Sequence, residues 1–281
     1  MLLIADSGST KTTWRLVNHN KSACTTGGIN PFLSETDQIV NLLENEFTLP
    51  RTGISKIIFY GAGCLFPEKK QIVADALLRY FQLFEIEINS DLLAAARSLC
   101  GNSMGIACIL GTGSNSCLYN GQEITDNVLP LGYVLGDEGS GNALGRKLLS
   151  NVLKNQLPEE INSLFFNTYH VTVNDILDNV YRKPFPNRYL AQYAKFVYAN
   201  INYPEMQTLA KDSFREFFSR NVMLYEAVKQ LPIHFTGNVA FHFREIIKKV
   251  AGEFELNVGK ITQEPMEGLV EYHSEELSIK N

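Results

Sequence analysis

Short apolar runs alternate along the chain with longer segments whose apolar side chains recur at helical spacing. Short runs rich in apolar and β-branched residues predict strands at 2–6, 11–17, 56–60, 85–89, 105–110, 115–119 and 233–236. Helical spacing predicts helices at 67–83 and 92–99, near 140–155, 158–169, 187–201 and 205–231, from 238 to about 250, and from 265 onwards. Strands alternating with helices predict an α/β protein that is mostly helical between residues 140 and 231.

Two short turns, each between two predicted strands, have the same form. Ser7-Gly8-Ser9-Thr10 and Thr112-Gly113-Ser114-Asn115 both read as a hydroxyl residue, glycine, serine and a polar residue, 105 residues apart. A four-residue match alone arises easily by chance, but the shared strand–turn–strand context favours an internal duplication. We therefore expect two similar halves, the second with a large helical insertion.

Composition narrows the class of protein. The 281 residues include 25 basic and 30 acidic side chains, for a net charge of −5, and there is no long basic run, which argues against a nucleic-acid partner. No apolar stretch has the roughly 18 residues that span a bilayer, and the start lacks the pattern of a signal peptide, so we expect a soluble cytoplasmic protein without a membrane partner. The five cysteines form no C-x-x-C pair, which favours buried free thiols. A cluster ligand built from Cys100, Cys108 or Cys117 across a dimer stays open.

The two turns are candidate phosphate sites. Glycine allows the backbone to approach a ligand closely, and successive N–H groups in such a turn favour anions. The hydroxyl side chains add neutral donors, and Lys11 adds a positive charge. Hairpin turns often carry glycine and serine for geometry alone, but two turns in equivalent places of duplicated halves would suit a polyphosphate in a cleft.

Three aspartates could carry chemistry, and each also has a plain structural interpretation. Asp6, at the end of the first strand, either caps the turn or holds Mg²⁺ through water. The helix over 92–99 is capped by Ser90 or Asp91, and Asp91 either has this capping role or acts as the general base of a phosphoryl transfer. Asp137 lies in the glycine-rich run 132–141, which either forms a capping loop or reaches a polyhydroxylated ligand.

Four motifs occur in the order found in an N-acetylglucosamine kinase. They are Asp6-x-Gly8-Ser9-Thr10-Lys11, Gly111-Thr112-Gly113-Ser114-Asn115, Gly136-Asp137-Glu138-Gly139-Ser140 and Thr236-Gly237-Asn238-Val239-Ala240. Over nearly its whole length the chain resembles this sugar-kinase branch of the actin/hexokinase/Hsp70 superfamily, which is grouped with the BadF/BadG/BcrA/BcrD-type ATPases. The resemblance implies a duplicated actin-like ATPase (ribonuclease H-like) fold, with two domains and a central cleft. It places residues 1–105 with 265–281 in the N-terminal domain and residues 106–264 in the C-terminal domain.

The resemblance also implies an activity and a set of site residues. It implies ATP-dependent, Mg²⁺-requiring phosphorylation of an amino sugar, most simply N-acetylglucosamine at its 6-hydroxyl, with Asp91 as the catalytic residue and Asp6 near the metal. The implied ATP-binding residues are Gly8, Ser9, Thr10, Lys11, Thr112, Gly113, Gly237 and Asn238. The implied sugar-binding residues are Asn30, Ser114, Asn115, Gly132 and Asp137. A homodimer is expected on the same ground.

Other functions stay open at this point. A glucosamine or muramic acid kinase would share the motifs. An activator ATPase of a CoA dehydratase or reductase, with an iron–sulfur cluster held by cysteines, would share the fold. A sugar sensor without activity is a third alternative.

Overall fold

The computed structural model describes residues 1–8, 10–17, 22–83 and 85–279. The described strands are β1 (Leu2–Ser7), β2 (Lys11–Leu16), β3 (Ala23–Gly27), β4 (Lys56–Gly61), β5 (Ile86–Ser90), β6 (Gly105–Leu110), β7 (Ser114–Tyr119), β8 (Ile124–Asp126), β9 (Ile233–Thr236) and β10 (Val258–Thr262). The described helices are α1 (Thr36–Glu46), α2 (Pro67–Phe81), α3 (Asp91–Cys100), α4 (Gly132–Leu135), α5 (Gly141–Leu153), α6 (Glu159–Tyr169), α7 (Val173–Tyr181), α8 (Pro186–Ala191), α9 (Ala194–Ala199), α10 (Pro204–Arg220), α11 (Asn238–His242), α12 (Arg244–Glu253) and α13 (Met266–Ile279).

Contacts group the chain into two compact units. Unit 1 comprises Met1–Ser103, Tyr119–Ile124 and Glu264–Asn281, and unit 2 comprises Met104–Leu118 and Thr125–Gln263. The domains expected from the sequence, 1–105 with 265–281 and 106–264, stay a prediction. A domain folds and acts on its own, whereas these units are defined by contacts alone.

The sheet of unit 1 places three strand ends at one edge. Its strand order is β3-β2-β1-β4-β5. The hairpin partners β2 and β3 run antiparallel, whereas β1, β4 and β5 run parallel to one another. The carboxyl ends of β1, β4 and β5 therefore meet at one edge of the sheet, which is where ligands bind in open α/β sheets.

The sheet of unit 2 repeats that arrangement. Its order, taken from the opposite edge, is β8-β7-β6-β9-β10, so each strand of the first sheet has a counterpart in the second. Strands β6, β9 and β10 are again parallel neighbours. The duplication expected from the two similar turns is confirmed at the level of strand order.

Helices cover both faces of the first sheet, which explains why residues 2–5 form an unbroken apolar run. One face packs Leu3, Ala5, Trp14 and Phe59 against α1 and α2. The other packs Ile4, Ile58 and Tyr60 with Ala94 of α3 and with Met266 and Leu269 of α13. Gly268 allows α13 to approach α3 closely, since a Cβ there would lie 2.3 Å from the Ser98 carbonyl oxygen.

The helical segment expected in the second half is present, with corrections in its boundaries. The predicted helix over 187–201 is two short helices, α8 and α9. The predicted helix over 205–231 ends at Arg220, where Asn221 turns its side chain to the buried Glu138 and a short 3₁₀ turn, Val222–Leu224, follows. The predicted helix from 238 to about 250 is likewise two helices, α11 and α12. The strands β3, β8 and β10 and the helices α1, α4 and α7 were not predicted. The core of unit 2 packs Cys108, Leu110 and Phe235 of the sheet against α5, α10 and α12.

Candidate active site

Two carboxylates lie at the shared carboxyl edge of β1, β4 and β5 in unit 1. Asp6 is the penultimate residue of β1, and Asp91 follows β5 directly as the first residue of α3. The helix cap is Ser90, whose Oγ accepts a 3.2 Å hydrogen bond from the Leu93 N–H. The interpretation of Asp91 as the helix cap is therefore wrong. Its Oδ1 instead accepts a 2.9 Å hydrogen bond from the neighbouring Leu92 N–H.

Both carboxylates are harder to ionise than an exposed aspartate. Burial, followed by repulsion from Asp91 and Glu264, raises the pKa of Asp6 from 3.8 to about 7, against an opposing effect of Lys11. Burial also raises the pKa of Asp91, although the backbone N–H groups at the start of α3 counteract it. A carboxylate whose proton affinity is raised in this way is a stronger base and gains more from a nearby cation.

The turn between β1 and β2 brings backbone donors and a lysine beside Asp6. The Gly8 N–H donates to the Lys11 carbonyl oxygen at 2.9 Å, which closes the turn, and Thr10 is exposed. Ser9 lies outside the described residues. Lys11 Nζ donates to Glu264 Oε1 at 2.6 Å, and both side chains are about half exposed. The ammonium group of Lys11 is thus tethered at the site by an acid that sequence reasoning missed.

Asn30 is anchored to the same part of unit 1. The buried Ser7 Oγ accepts a hydrogen bond from the Ile29 N–H and donates to the Ile29 carbonyl oxygen, which fixes the residue before Asn30 to the end of β1. Asn30 Oδ1 accepts a 2.9 Å hydrogen bond from the Phe32 N–H. A Cβ on Gly63 would lie 2.7 Å from that oxygen, so glycine is needed there for the close approach.

In unit 2, the turn between β6 and β7 is fastened to the start of α5. Asn142 Nδ2 donates to the Thr112 carbonyl oxygen and to Asp137 Oδ2, both at 2.8 Å. Asp137 Oδ1 accepts a 3.1 Å hydrogen bond from the Ser114 N–H. Burial raises the pKa of Asp137, against the lowering effect of these hydrogen bonds. Asp137 therefore shapes the turn, and Asn142, which the sequence analysis did not single out, holds both.

Gly113 has a steric reason to be glycine. A Cβ at this position would lie 2.9 Å from Asp137 Oδ1, whereas a Cβ on Gly111 would meet nothing within 4 Å. Asn115 is occupied within the same unit, since its Oδ1 accepts hydrogen bonds from the Ser116 N–H and from Asn127 Nδ2.

Three further predicted residues lie on other segments of unit 2. Gly132 is exposed at the start of α4. Gly237 follows β9 with φ +114°, and a Cβ there would lie 2.3 Å from the Leu110 carbonyl oxygen, at the end of β6. Asn238 begins α11, and its Oδ1 accepts a 2.8 Å hydrogen bond from Gln263 Nε2. The segment 237–238 is thus held against the strand that leads into the 111–115 turn.

The structure divides the predicted residues between the two units. Unit 1 holds Asp6, Gly8, Thr10, Lys11, Asn30 and Asp91. Unit 2 holds Thr112, Gly113, Ser114, Asn115, Gly132, Asp137, Gly237 and Asn238. Sequence reasoning missed Glu264 and Asn142, whose roles depend on partners distant in the chain or on backbone groups. It named Ser7 as a hydroxyl residue of the first turn but not as the anchor of Ile29.

The carboxylates of unit 1 fit Mg²⁺ of the kind that accompanies a nucleotide. Mg²⁺ keeps several waters and uses one or two carboxylates besides phosphate oxygens. The pKa of Asp6 is raised by burial and by the negative charge of Asp91, and a nearby cation would stabilise the ionised form of Asp6. Among the described residues, no group of three or more histidine, cysteine, aspartate or glutamate side chains is arranged to hold a metal ion.

Solved structures of sugar kinases share this fold. A candidate N-acetylglucosamine kinase from Porphyromonas gingivalis is 46% identical with a TM-score of 0.93, over 97% of this chain and 98% of that one. A candidate N-acetylglucosamine kinase from Chromobacterium violaceum is 16% identical with a TM-score of 0.74, over 96% and 98%. A ROK family glucokinase from Streptomyces griseus, in complex with glucose and AMPPNP, is 15% identical with a TM-score of 0.55, over 96% and 97%. No protein-family model and no curated protein matches the chain.

The two sheets have equivalent strand orders, and in each of them candidate ligand residues follow the ends of parallel strands. This is a duplicated actin-like ATPase fold of the sugar-kinase type. At 46% identity over almost the entire length, the chain belongs to the N-acetylglucosamine kinase-like family of sugar kinases in the actin/hexokinase superfamily. Family membership favours a kinase over the activator ATPase. Within the described part of the chain, no helix combines the length and apolarity needed to cross a bilayer.

Proposed function

We propose that the protein transfers the γ-phosphoryl group of ATP to an amino sugar, with the 6-hydroxyl of N-acetylglucosamine as the acceptor. The relative from Porphyromonas gingivalis, itself a candidate N-acetylglucosamine kinase, supports this substrate class. AMPPNP in the glucokinase of the same fold supports ATP as the donor. A homodimer and a cytoplasmic location belong to the same proposal, and light scattering tests the first.

The placement of Asp91 carries the proposal. It stands at the edge where three parallel strands end, its pKa is raised by burial, and Ser90 relieves it of the capping role. A general base works best with a pKa near the operating pH.

The chemistry assigned to Asp91 is one proton transfer. Its carboxylate accepts the proton of the sugar hydroxyl as that oxygen bonds to the γ-phosphorus. The bond from the γ-phosphorus to the β–γ bridging oxygen breaks, and ADP leaves with that electron pair. The products are the sugar phosphate, ADP and a proton on Asp91, which passes to solvent.

The remaining residues bind and neutralise phosphate. In the proposal, the 7–11 and 111–115 turns donate backbone N–H groups to phosphate oxygens, Lys11 exchanges Glu264 for phosphate, and Gly237 and Asn238 contact the adenosine. Thr10 and Thr112 add hydroxyl donors from the two turns. When bound, Mg²⁺ supplies charge neutralisation at the phosphate oxygens, and Asp6 holds it through water.

The residues that we assign to the acceptor sugar are the five that the family resemblance implies. Asn30 uses its side-chain oxygen within the protein, so its Nδ2 donors are available to sugar oxygens. Ser114, Asn115, Gly132 and Asp137 are assigned to the same sugar. Asp137 already accepts one hydrogen bond on each oxygen, and each oxygen retains a second lone pair for a sugar hydroxyl.

A coupled ADP-release assay across a sugar panel tests the proposal. The panel contains N-acetylglucosamine, N-acetylmannosamine, glucosamine and glucose, with ATP and Mg²⁺, and phosphorus NMR locates the phosphate on the product. We expect the highest kcat/KM for N-acetylglucosamine and a 6-phosphate product. Absence of sugar-stimulated ADP release with every member would refute the kinase assignment. A different preferred sugar would refute only the substrate.

A further inference from the structure

A second feature of unit 1 lies beside Asp91 and has no part in the chemistry above. It is a cavity of about 240 Å³ between α2, α3 and the carboxyl end of β5. Its polar lining includes Cys64, Lys70, Asn89, Ser90, Arg97 and Glu123. We call it the α2–α3 cavity.

Two cations line the α2–α3 cavity, and neither is fully satisfied. Lys70 is partly buried in the first turns of α2 and has no hydrogen-bond or ion-pair partner among the described residues. Arg97 is 16% exposed, and its Nη1 donates to Tyr60 Oη at 2.8 Å and lies 3.5 Å from Glu87 Oε1. Its Nε has no hydrogen-bond partner among the described residues, but it is fully buried, so a ligand cannot reach it. Lys70 is therefore the cation whose charge is open to a ligand, and Arg97 adds a second positive charge to the lining of the same cavity.

The other lining groups do not place an anion against Lys70. Burial, together with the nearby Asp91, raises the pKa of the Cys64 thiol to about 12, so the thiol stays neutral and does not balance Lys70. Asn89 Nδ2 donates a 2.8 Å hydrogen bond to Glu87 Oε1. Glu123 is the acidic lining residue, and it is exposed on the β7–β8 connection, where solvent screens its charge.

We propose that the α2–α3 cavity is a binding site for an oxyanion, a carboxylate or phosphate group held by Lys70 and Arg97. Its position beside Asp91 makes an acidic substituent on the acceptor sugar one source of that group. This source rests on the proposed kinase function. A free anion of the same chemistry is the other source, and binding from that source does not depend on kinase activity.

The kinetic test compares two acceptors that differ only in a carboxylate-bearing ether, N-acetylglucosamine and its 3-O-lactyl derivative. We expect Lys70→Gln to raise KM for the acidic sugar at least tenfold and KM for the neutral sugar less than twofold, with kcat unchanged for both. Lys70→Arg, which keeps the charge, should retain most of the affinity. Arg79→Gln is the matched control, because it removes one positive charge from an exposed site on the same helix.

A binding measurement separates the two sources and does not need turnover. Backbone amide NMR shifts near residues 64–70 and 89–97 are followed while wild type and Lys70→Gln are titrated with phosphate or lactate. Saturable shifts that Lys70→Gln weakens at least tenfold support the oxyanion site. If they occur without preference for the acidic sugar, the ligand is a free anion.

The proposal is overturned if neither the acidic sugar nor the free anions depend on Lys70. Turnover of the neutral sugar under those conditions would leave the kinase function intact. If no sugar is phosphorylated but the anion titration depends on Lys70, the kinase function fails and the oxyanion site stands.

Discussion

Asp6 imposes a pH-dependent cost on the stability of unit 1. A carboxyl group whose pKa is higher in the folded protein holds its proton more tightly when folded, so stability falls as pH rises from the unfolded value to the folded one. For Asp6 this window runs from 3.8 to about 7. Below the window the carboxyl is neutral in both states. Above it, the folded protein bears the full cost of an ionised, partly buried carboxylate.

The size of the cost follows from the same values. At 1.36 kcal/mol for each unit, the difference between 3.8 and about 7 corresponds to about 4 kcal/mol as an upper bound. Asp6 is partly exposed, and solvent screening reduces this to about 1–2 kcal/mol. Asp6→Asn keeps the shape and removes the charge. We expect it to be more stable than wild type by about 1–2 kcal/mol at pH 8, with the difference vanishing near pH 4.

Trp14 makes the measurement specific to this unit. It is the single tryptophan of the chain and is fully buried in the core of unit 1. Urea unfolding followed by its fluorescence should show a midpoint about 0.5–1 M higher for Asp6→Asn at pH 8, for a denaturant slope of about 2 kcal/mol/M. Asp37→Asn, which removes an exposed carboxylate of the same unit, is the control. A midpoint difference that is equal at pH 4.5 and pH 8, or a destabilised Asp6→Asn at pH 8, would refute this reasoning.

Three more predictions concern the site. The raised pKa of Asp91 should appear as an acidic limb in kcat/KM, where activity rises as the base loses its proton and where ionisation of Asp6, with a pKa of about 7, contributes as well; a profile without any acidic limb contradicts this prediction. Gly113→Ala should destabilise unit 2 by about 1–3 kcal/mol and raise KM for ATP, because the added Cβ would meet Asp137. Gly111→Ala should do neither, and equal effects of the two substitutions in thermal unfolding and kinetics would contradict this geometry. Glu264→Gln should lower KM for ATP about twofold to fivefold by releasing Lys11, and an unchanged KM would show that the ion pair does not compete with phosphate.

Strongly patterned segments of the fold could be predicted from sequence. The strand 2–6 is mostly apolar, its hairpin partner is rich in residues that favour strands, and the two flank a glycine turn. The same pattern recurs at 105–119, so the duplication is visible before any contact is known. The edge strands β3 and β10 escape prediction because their residues gain order mainly from pairing with β2 and β9. Helix α1 is mostly polar, and its apolar residues all lie within 39–43, a stretch too short to show a repeated helical spacing.

The site could be predicted in its residue types but not in its contacts. Asp6 and Asp91 are noticeable because each ends or follows an apolar strand, and parallel strands collect such residues at one edge. Glu264 is 253 residues from Lys11, and only the return of the C-terminal segment to unit 1 brings them together. Asn142 joins the 111–115 turn to Asp137 through a backbone carbonyl oxygen and a carboxylate, a role that its residue type does not reveal. The choice between Ser90 and Asp91 as the cap needed the backbone geometry of α3.

Paired measurements on Asp91→Asn and Ser90→Ala test the central claim most directly, because they separate chemistry from folding. Asp91→Asn can still accept the Leu92 N–H, so stability should change by less than about 1 kcal/mol while sugar-dependent turnover falls by about 10²–10⁴. Ser90→Ala removes the cap of α3, so it should lower stability by about 1 kcal/mol and leave kcat near that of wild type. An Asp91→Asn protein that is folded and retains most of its kcat would contradict the assignment of Asp91 as the base of a sugar kinase.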